Sequence, residues 1–187
     1  MMRTPPLGLR NRLAETILHA LSDETARRQL EAEDFAWLGE TAPEDAALVR
    51  ARARRASEAL AACGPTRAEP SLEEALTAAA ALFDTGLYFE VHELLEPHWV
   101  RASGAERQAL QGLIQIAVAF QHLDNGNVEG ARSLLVEGSA RLRDGRLAGF
   151  ALEVFAHAAG AAVGQLARAS DPITVPTFPR RTTWSSS

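Results

Sequence analysis

The sequence contains no lysine; all 19 of its basic residues are arginine. Schiff-base chemistry, a lysine general base and a P-loop lysine are therefore excluded. A single cysteine, Cys63, rules out both an intrachain disulfide framework and a cysteine-based zinc cluster. Aromatic residues make up only 6% of the chain, with one tyrosine among them. β-Branched residues are also scarce, which leaves little material for a sheet. No segment approaches the ~18 uninterrupted apolar residues of a membrane-spanning helix. The opening stretch MMRTPPLGLRNRL lacks the apolar centre of an export signal. The expectation is a cytoplasmic protein with no membrane partner.

What is abundant is alanine and leucine, both strong helix formers. With 47% hydrophobic and 23% charged residues and a mean hydropathy of −0.10, the composition is that of a globular chain. The expected fold is all-α, a multihelical bundle of about seven or eight helices without a sheet. The net charge of −5 is unevenly spread, since residues 67–168 hold 13 acidic against 8 basic side chains. Such a surplus argues against a nucleic-acid partner and favours a cation.

Spacing and punctuation divide the chain. Leu9, Leu13, Ile17 and Leu21 form a helical stripe, closed by Ser22-Asp23. A second helix is expected over about 23–39, and a third behind a Thr41 cap, with Pro43 and Glu44 in its first turn, ending at Gly64-Pro65. Arg50, Arg52, Arg54 and Arg55 spread around the third helix and read as a solvated face. The linker GPTRAEP (64–70) precedes Ser71-Leu72-Glu73-Glu74, a capping box. Further helices are expected over about 72–83, 87–101, 105–124, 127–143 and 146–168. The last should bury Leu147, Phe150, Val154 and Phe155, with His157 among alanines. Three segments result: an N-terminal helical extension (1–66), a core bundle (67–168) and an extended tail (169–187). Residues 1–8, rich in Pro and Gly, read as loose.

Two constellations bear chemistry. Tyr88 to Trp99 reads YFEVHELLEPHW, in which His92 and Glu96 are helical i, i+4 neighbours, Glu93 stands one step round and Trp99 just below. H-E-x-x-E is the zincin pattern with its second histidine replaced by a carboxylate. His92 and Glu96 are thus candidate ligands of one divalent metal (Zn²⁺, Mn²⁺ or Mg²⁺), and Glu93 the base acting on its water. Pro97 lacks an N–H and its ring opposes the Glu93 carbonyl, so the helix should bend or stop there. The second constellation is a narrow polar stripe of Gln108, Gln111, Gln115 and His122 on an otherwise apolar helix. Buried amides need partners, and the acidic face of the preceding helix is the expected source. His122 or Gln115 would supply a further metal ligand. Glu90, Trp99, Gln111 and Gln115 are ligand-pocket candidates. A fully satisfied polar network inside a helical core is the competing, purely structural reading.

YFEVHELLEPHW (88–99), QGLIQIAVAFQH (111–122) and GNVEGARSLL (126–135) together resemble the three blocks of a bacterial and archaeal family, domain of unknown function 309. The resemblance implies a small multihelical cytosolic protein and brings with it the description of a metal-dependent hydrolase. It places signature positions on Phe89, Glu90, His92, Glu93, Glu96 and Trp99, on Gln111, Gly112, Ile114, Gln115 and Ala117, and on Gly126, Asn127, Gly130 and Ala131. The family's Trp-Arg pair is interrupted here by Val100. Two functions follow as expectations. One is a metal-dependent hydrolase. The other is a non-catalytic helical module whose polar cluster is structural or holds a small ligand or partner, with self-association through helix packing among the options.

Overall fold

The computed structural model describes residues 4–143, 145–168 and 173–181. Among these, eight α-helices account for the architecture, and the all-α expectation holds. The chain forms two compact units, residues 1–94 and 95–187.

The first unit holds α1 (Leu7–Ala20), α2 (Glu24–Glu31), α3 (Pro43–Cys63), α4 (Leu72–Asp84) and the opening turns of α5 (Tyr88–Arg101). Helix α1 begins inside the Pro/Gly-rich stretch expected to be loose; Pro5 is buried there, while residues 1–3 lie outside the described part. Asp23 caps α2 by accepting from the Ala26 amide at 2.7 Å. The single helix expected over 23–39 is broken, because Glu33 takes a left-handed backbone (φ 52°) and a short 3₁₀ turn, Ala36–Leu38, follows. Two hydrogen bonds from Arg54 to the Glu33 carboxylate, 2.8 and 2.9 Å, hold that break in place. Arg27 ties three helices by donating to the Ala20 and Leu60 carbonyls, at the ends of α1 and α3. The capping box at Ser71 forms as read: the Glu74 amide donates to the Ser71 hydroxyl, and the Ser71 amide donates back to the Glu74 carboxylate.

One arginine in the third helix departs from the sequence reading. Arg52 is 3% exposed, whereas Arg50, Arg54 and Arg55 are exposed. Its position falls on the inward stripe with Val49, Ala53 and Ala56, where small neighbours leave room for a guanidinium.

The second unit holds the end of α5, then α6 (Gly104–Asp124), α7 (Val128–Leu142) and α8 (Glu153–Ala167). Asn127 caps α7 through the Gly130 amide, 3.0 Å. Helices α6 and α7 cross closely at Gly112 and Gly138. A Cβ on Gly112 would lie 2.7 Å from Leu142 Cδ2, and one on Gly138 would lie 2.9 Å from the Gly112 carbonyl oxygen.

The expected absence of a sheet needs one correction. Where a single helix over 146–168 was expected, a two-stranded hairpin comes first, β1 (Arg146–Leu147) with β2 (Phe150–Ala151). Ala148 and Gly149 turn it, both at positive φ (48° and 84°), as a type I′ turn demands. Helix α8 therefore starts at Glu153, which leaves Val154 80% exposed and His157 at the surface instead of in the core. Leu147, Phe150 and Phe155 are buried as expected. Of the tail, residues 173–181 carry no helix; the Thr174 amide donates to Gln165, Phe178 packs against Phe155 and Arg181 bridges to Phe150. Asp144, expected to end α7, and tail residues 169–172 and 182–187 lie outside the described part.

Candidate metal-binding site

Helix α5 starts after the Gly86 turn (φ 79°), with Leu87 and Val91 buried and Tyr88 edge-on to Phe83 at 5.1 Å between centroids. Glu90 points inward and is fully buried. There the Arg52 guanidinium donates to Glu90 Oε2 at 3.0 Å, an ion pair from which water is excluded. Glu90 Oε1 and Arg52 Nε have no further partner. Glu90, expected in a ligand pocket, is thus engaged by α3, and its carboxylate fixes the rotation of α5 about its axis.

That rotation turns the next residues outward. His92 and Glu93 are half-buried and Glu96 is exposed. One ligand atom from each of the three can be chosen so that all lie within 4.8 Å of one another. His92 Nδ1 stands 3.1 Å from Glu93 Oε1, and the imidazole is tilted toward Phe89, 6.3 Å between centroids. An imidazole and two carboxylates are a donor set suited to Zn²⁺ or Mn²⁺, and three donors from one turn leave positions open to water. Among the described residues this is the sole His/Cys/Asp/Glu group with such convergence.

Pro97 does not end the helix; α5 continues to Arg101. Pro97 is exposed, so its ring meets solvent, and the helix end is secured from the next element. Arg107 donates to the carbonyls of Trp99 (2.9 Å), Val100 and Ala102 (3.4 Å each), and its guanidinium lies 4.0 Å from the Trp99 ring centroid. Trp99, a pocket candidate, therefore has one face covered, while its indole N–H is buried without a partner. His98 is held below the ordinary imidazole range, mainly by burial and then by the charge of Arg101, with Glu106 opposing.

The polar stripe on α6 exists, but its partners differ from those expected. Arg141 of α7 donates to Gln115 Oε1 at 3.0 Å and also to Gln108 Oε1, and Gln115 Nε2 donates to Glu137 at 2.8 Å. The close approach at Gly112 and Gly138 explains it, since Glu137 and Arg141 flank Gly138 and are carried to the amides. Gln111 is half-buried without a recorded bond. His122 Nδ1 lies 2.9 Å from Asn127 Nδ2, whose Oδ1 already accepts from Gly130. The amide must donate, so His122 carries its proton on Nε2 and serves the turn at Asn127. Neither Gln115 nor His122 is thus free to join a metal without giving up these bonds. The buried Arg52 is the participant that sequence reading missed; its placement among Val49, Ala53 and Ala56 was the available signal.

A groove of about 340 Å³ opens beside this turn within the first unit, lined by Ala14, Glu15, Leu18 and His19 of α1 and by Phe89 and Glu93 of α5. No helix among the described residues is long and apolar enough to cross a membrane. A family model described as a domain of unknown function (DUF309) matches residues 76–134. Comparison with curated proteins and with solved structures gives no match.

Proposed function

We propose, taking the DUF309 match over residues 76–134 as the premise, that the outward turn of α5 binds one divalent cation and supports hydrolysis. The observation that carries this reading is the convergence of His92, Glu93 and Glu96 within 4.8 Å on a solvent-reached turn. A divalent cation held there would supply Lewis-acid and water-activating chemistry. His92 and Glu96 would hold it. Glu93, whose Oε1 stands 3.1 Å from His92 Nδ1 and which lines the adjacent groove, would take a proton from water or add a third donor. A cytoplasmic location, no nucleic-acid partner and self-association through helix packing belong to the same reading. The acidic surplus of residues 67–168 supports the exclusion of nucleic acid.

A second reading is favoured by a separate observation. Glu90, Gln115 and His122 each have an internal partner, Arg52, Arg141 with Glu137, and Asn127. On that view the signature residues build a non-catalytic helical module that serves a small ligand or partner. Elemental analysis of protein purified without a metal-affinity step, repeated after adding Zn²⁺ or Mn²⁺, separates the two. About one equivalent, lost in His92→Ala and Glu96→Ala with unchanged metal-free melting, is the expected result. Less than about 0.1 equivalent, with both variants melting lower, overturns the metal site in favour of a structural role.

A further inference from the structure

Resting on the reading of the α5 turn as a reactive site, we propose that α1 selects the substrate. The groove it shares with α5 takes a primary ammonium group carried on a short apolar stem. Helix α1 lies outside the family match at 76–134, so the match assigns no role to this wall. Four-residue spacing aims Glu15 and His19 at the groove from one face of α1, and Glu93 faces it from α5. The floor is Ala14, Leu18 and Phe89. At about 340 Å³ the space sits at the lower end of small-molecule sites, and its apolar floor with a few polar groups is their usual make-up.

Charge decides the class of ligand. Two carboxylates, an imidazole and the Asn11 amide line the groove, and no arginine does. Arg10, next to it, lies over the Phe89 ring at 3.9 Å and donates to Asn11 Oδ1 at 3.0 Å; both partners are uncharged, so its guanidinium offsets one of the two carboxylates and leaves the other. Glu15 has neither an ion pair nor a hydrogen bond among the described residues. An ammonium offers three donors to carboxylate and imidazole acceptors, whereas an anion would meet the carboxylate charge left in excess over Arg10. The stem lies on the apolar floor, and the far end comes to Glu93, which the groove shares with the turn bearing His92.

Full-length ¹⁵N-labelled protein titrated with butylammonium, and separately with butyrate as the anion of matching length, tests the assignment. Saturable shifts at the amides of Ala14, Leu18 and Phe89 are expected with butylammonium only. Glu15→Gln, at an exposed position, should weaken them about fivefold, the effect of one lost charge-assisted contact, while Zn²⁺ uptake by that variant stays unchanged. Equal shifts with butyrate, or butylammonium binding unaffected by Glu15→Gln, overturn the proposal. Ammonium binding that persists in a protein taking up no metal overturns the metal reading and leaves the groove assignment standing.

Discussion

The two units solve the same problem, locking a polar helix into a core of alanine and leucine, by different physics. In the first, a desolvated ion pair, Arg52 with Glu90, sits between α3 and α5. In the second, α6 and α7 meet backbone to backbone at Gly112 and Gly138, and the polar side chains Gln108, Gln115, Glu137 and Arg141 stay at the edge of the contact. The first device is directional and costly to break, because charge taken out of water must be answered within the protein. The second depends on shape, and water can replace its edge hydrogen bonds. The candidate site depends on the first, since burial of Glu90 together with Leu87, Val91 and Leu95 leaves His92, Glu93 and Glu96 on the outward side.

The sharpest way to break the comparison is Arg52→Met, which strands the Glu90 carboxylate. Chemical denaturation should register a loss of ~3–5 kcal/mol. The double variant Arg52→Met/Glu90→Leu should recover most of it, because a well-packed apolar pair replaces a desolvated ionic one. If the single change costs less than about 1 kcal/mol, the pair is not the lock. Gly138→Ala is the matching test of the second unit. Its methyl would meet the Gly112 carbonyl oxygen at 2.9 Å and Ile116 Cγ1 at 2.8 Å, so a loss of ~1–3 kcal/mol is expected, with no polar rescue available.

The smallest effect contrasts two glutamates of the first unit, Glu90 buried and Glu74 on the rim. Hydrogen bonding to Arg67, then to the Ser71 hydroxyl and amide, lowers the Glu74 carboxyl from 4.5 to about 2. A depressed carboxyl stabilises the fold fully above its unfolded value and loses that contribution as pH falls from about 4.5 toward 2. Carboxyl-detected NMR should place its midpoint near the lower figure. In Arg67→Ala the midpoint should rise, and if it does not, the guanidinium is not the cause.

Helix positions were legible in the sequence because their punctuation is local. Ser71 with Glu74, Gly64 and Asn127 each act within one turn and appear where the pattern puts them, whereas α3 has Ala42, not Thr41, at its N-cap and no side-chain bond there, because Pro43 opens the helix one residue later. The hairpin was hidden because an alanine, Ala148, occupies a left-handed turn position that ordinarily calls for Asn or Gly. Arg52 was hidden because periodicity names a face, whereas its burial requires a carboxylate from a helix distant in sequence. The same limit misdirected Gln115. Its stripe could be drawn from spacing, yet the partner was set by Gly112 and Gly138, two glycines whose coincidence in space no single-helix argument supplies. His92, Glu93 and Glu96 were readable throughout, since one helical turn fixes their proximity.

Arg107 carries a last consequence. One guanidinium holds three terminal carbonyls of α5 while lying on the indole of Trp99, so fraying there is not a residue-by-residue affair. The segment from Trp99 to Ala102 opens as a block or stays shut. All three bonds come from one nitrogen, Nη1, and what a lysine would lack is the planar guanidinium that lies on the indole at the same time. At this joint, a chain written without lysine has made cooperative opening out of one side chain.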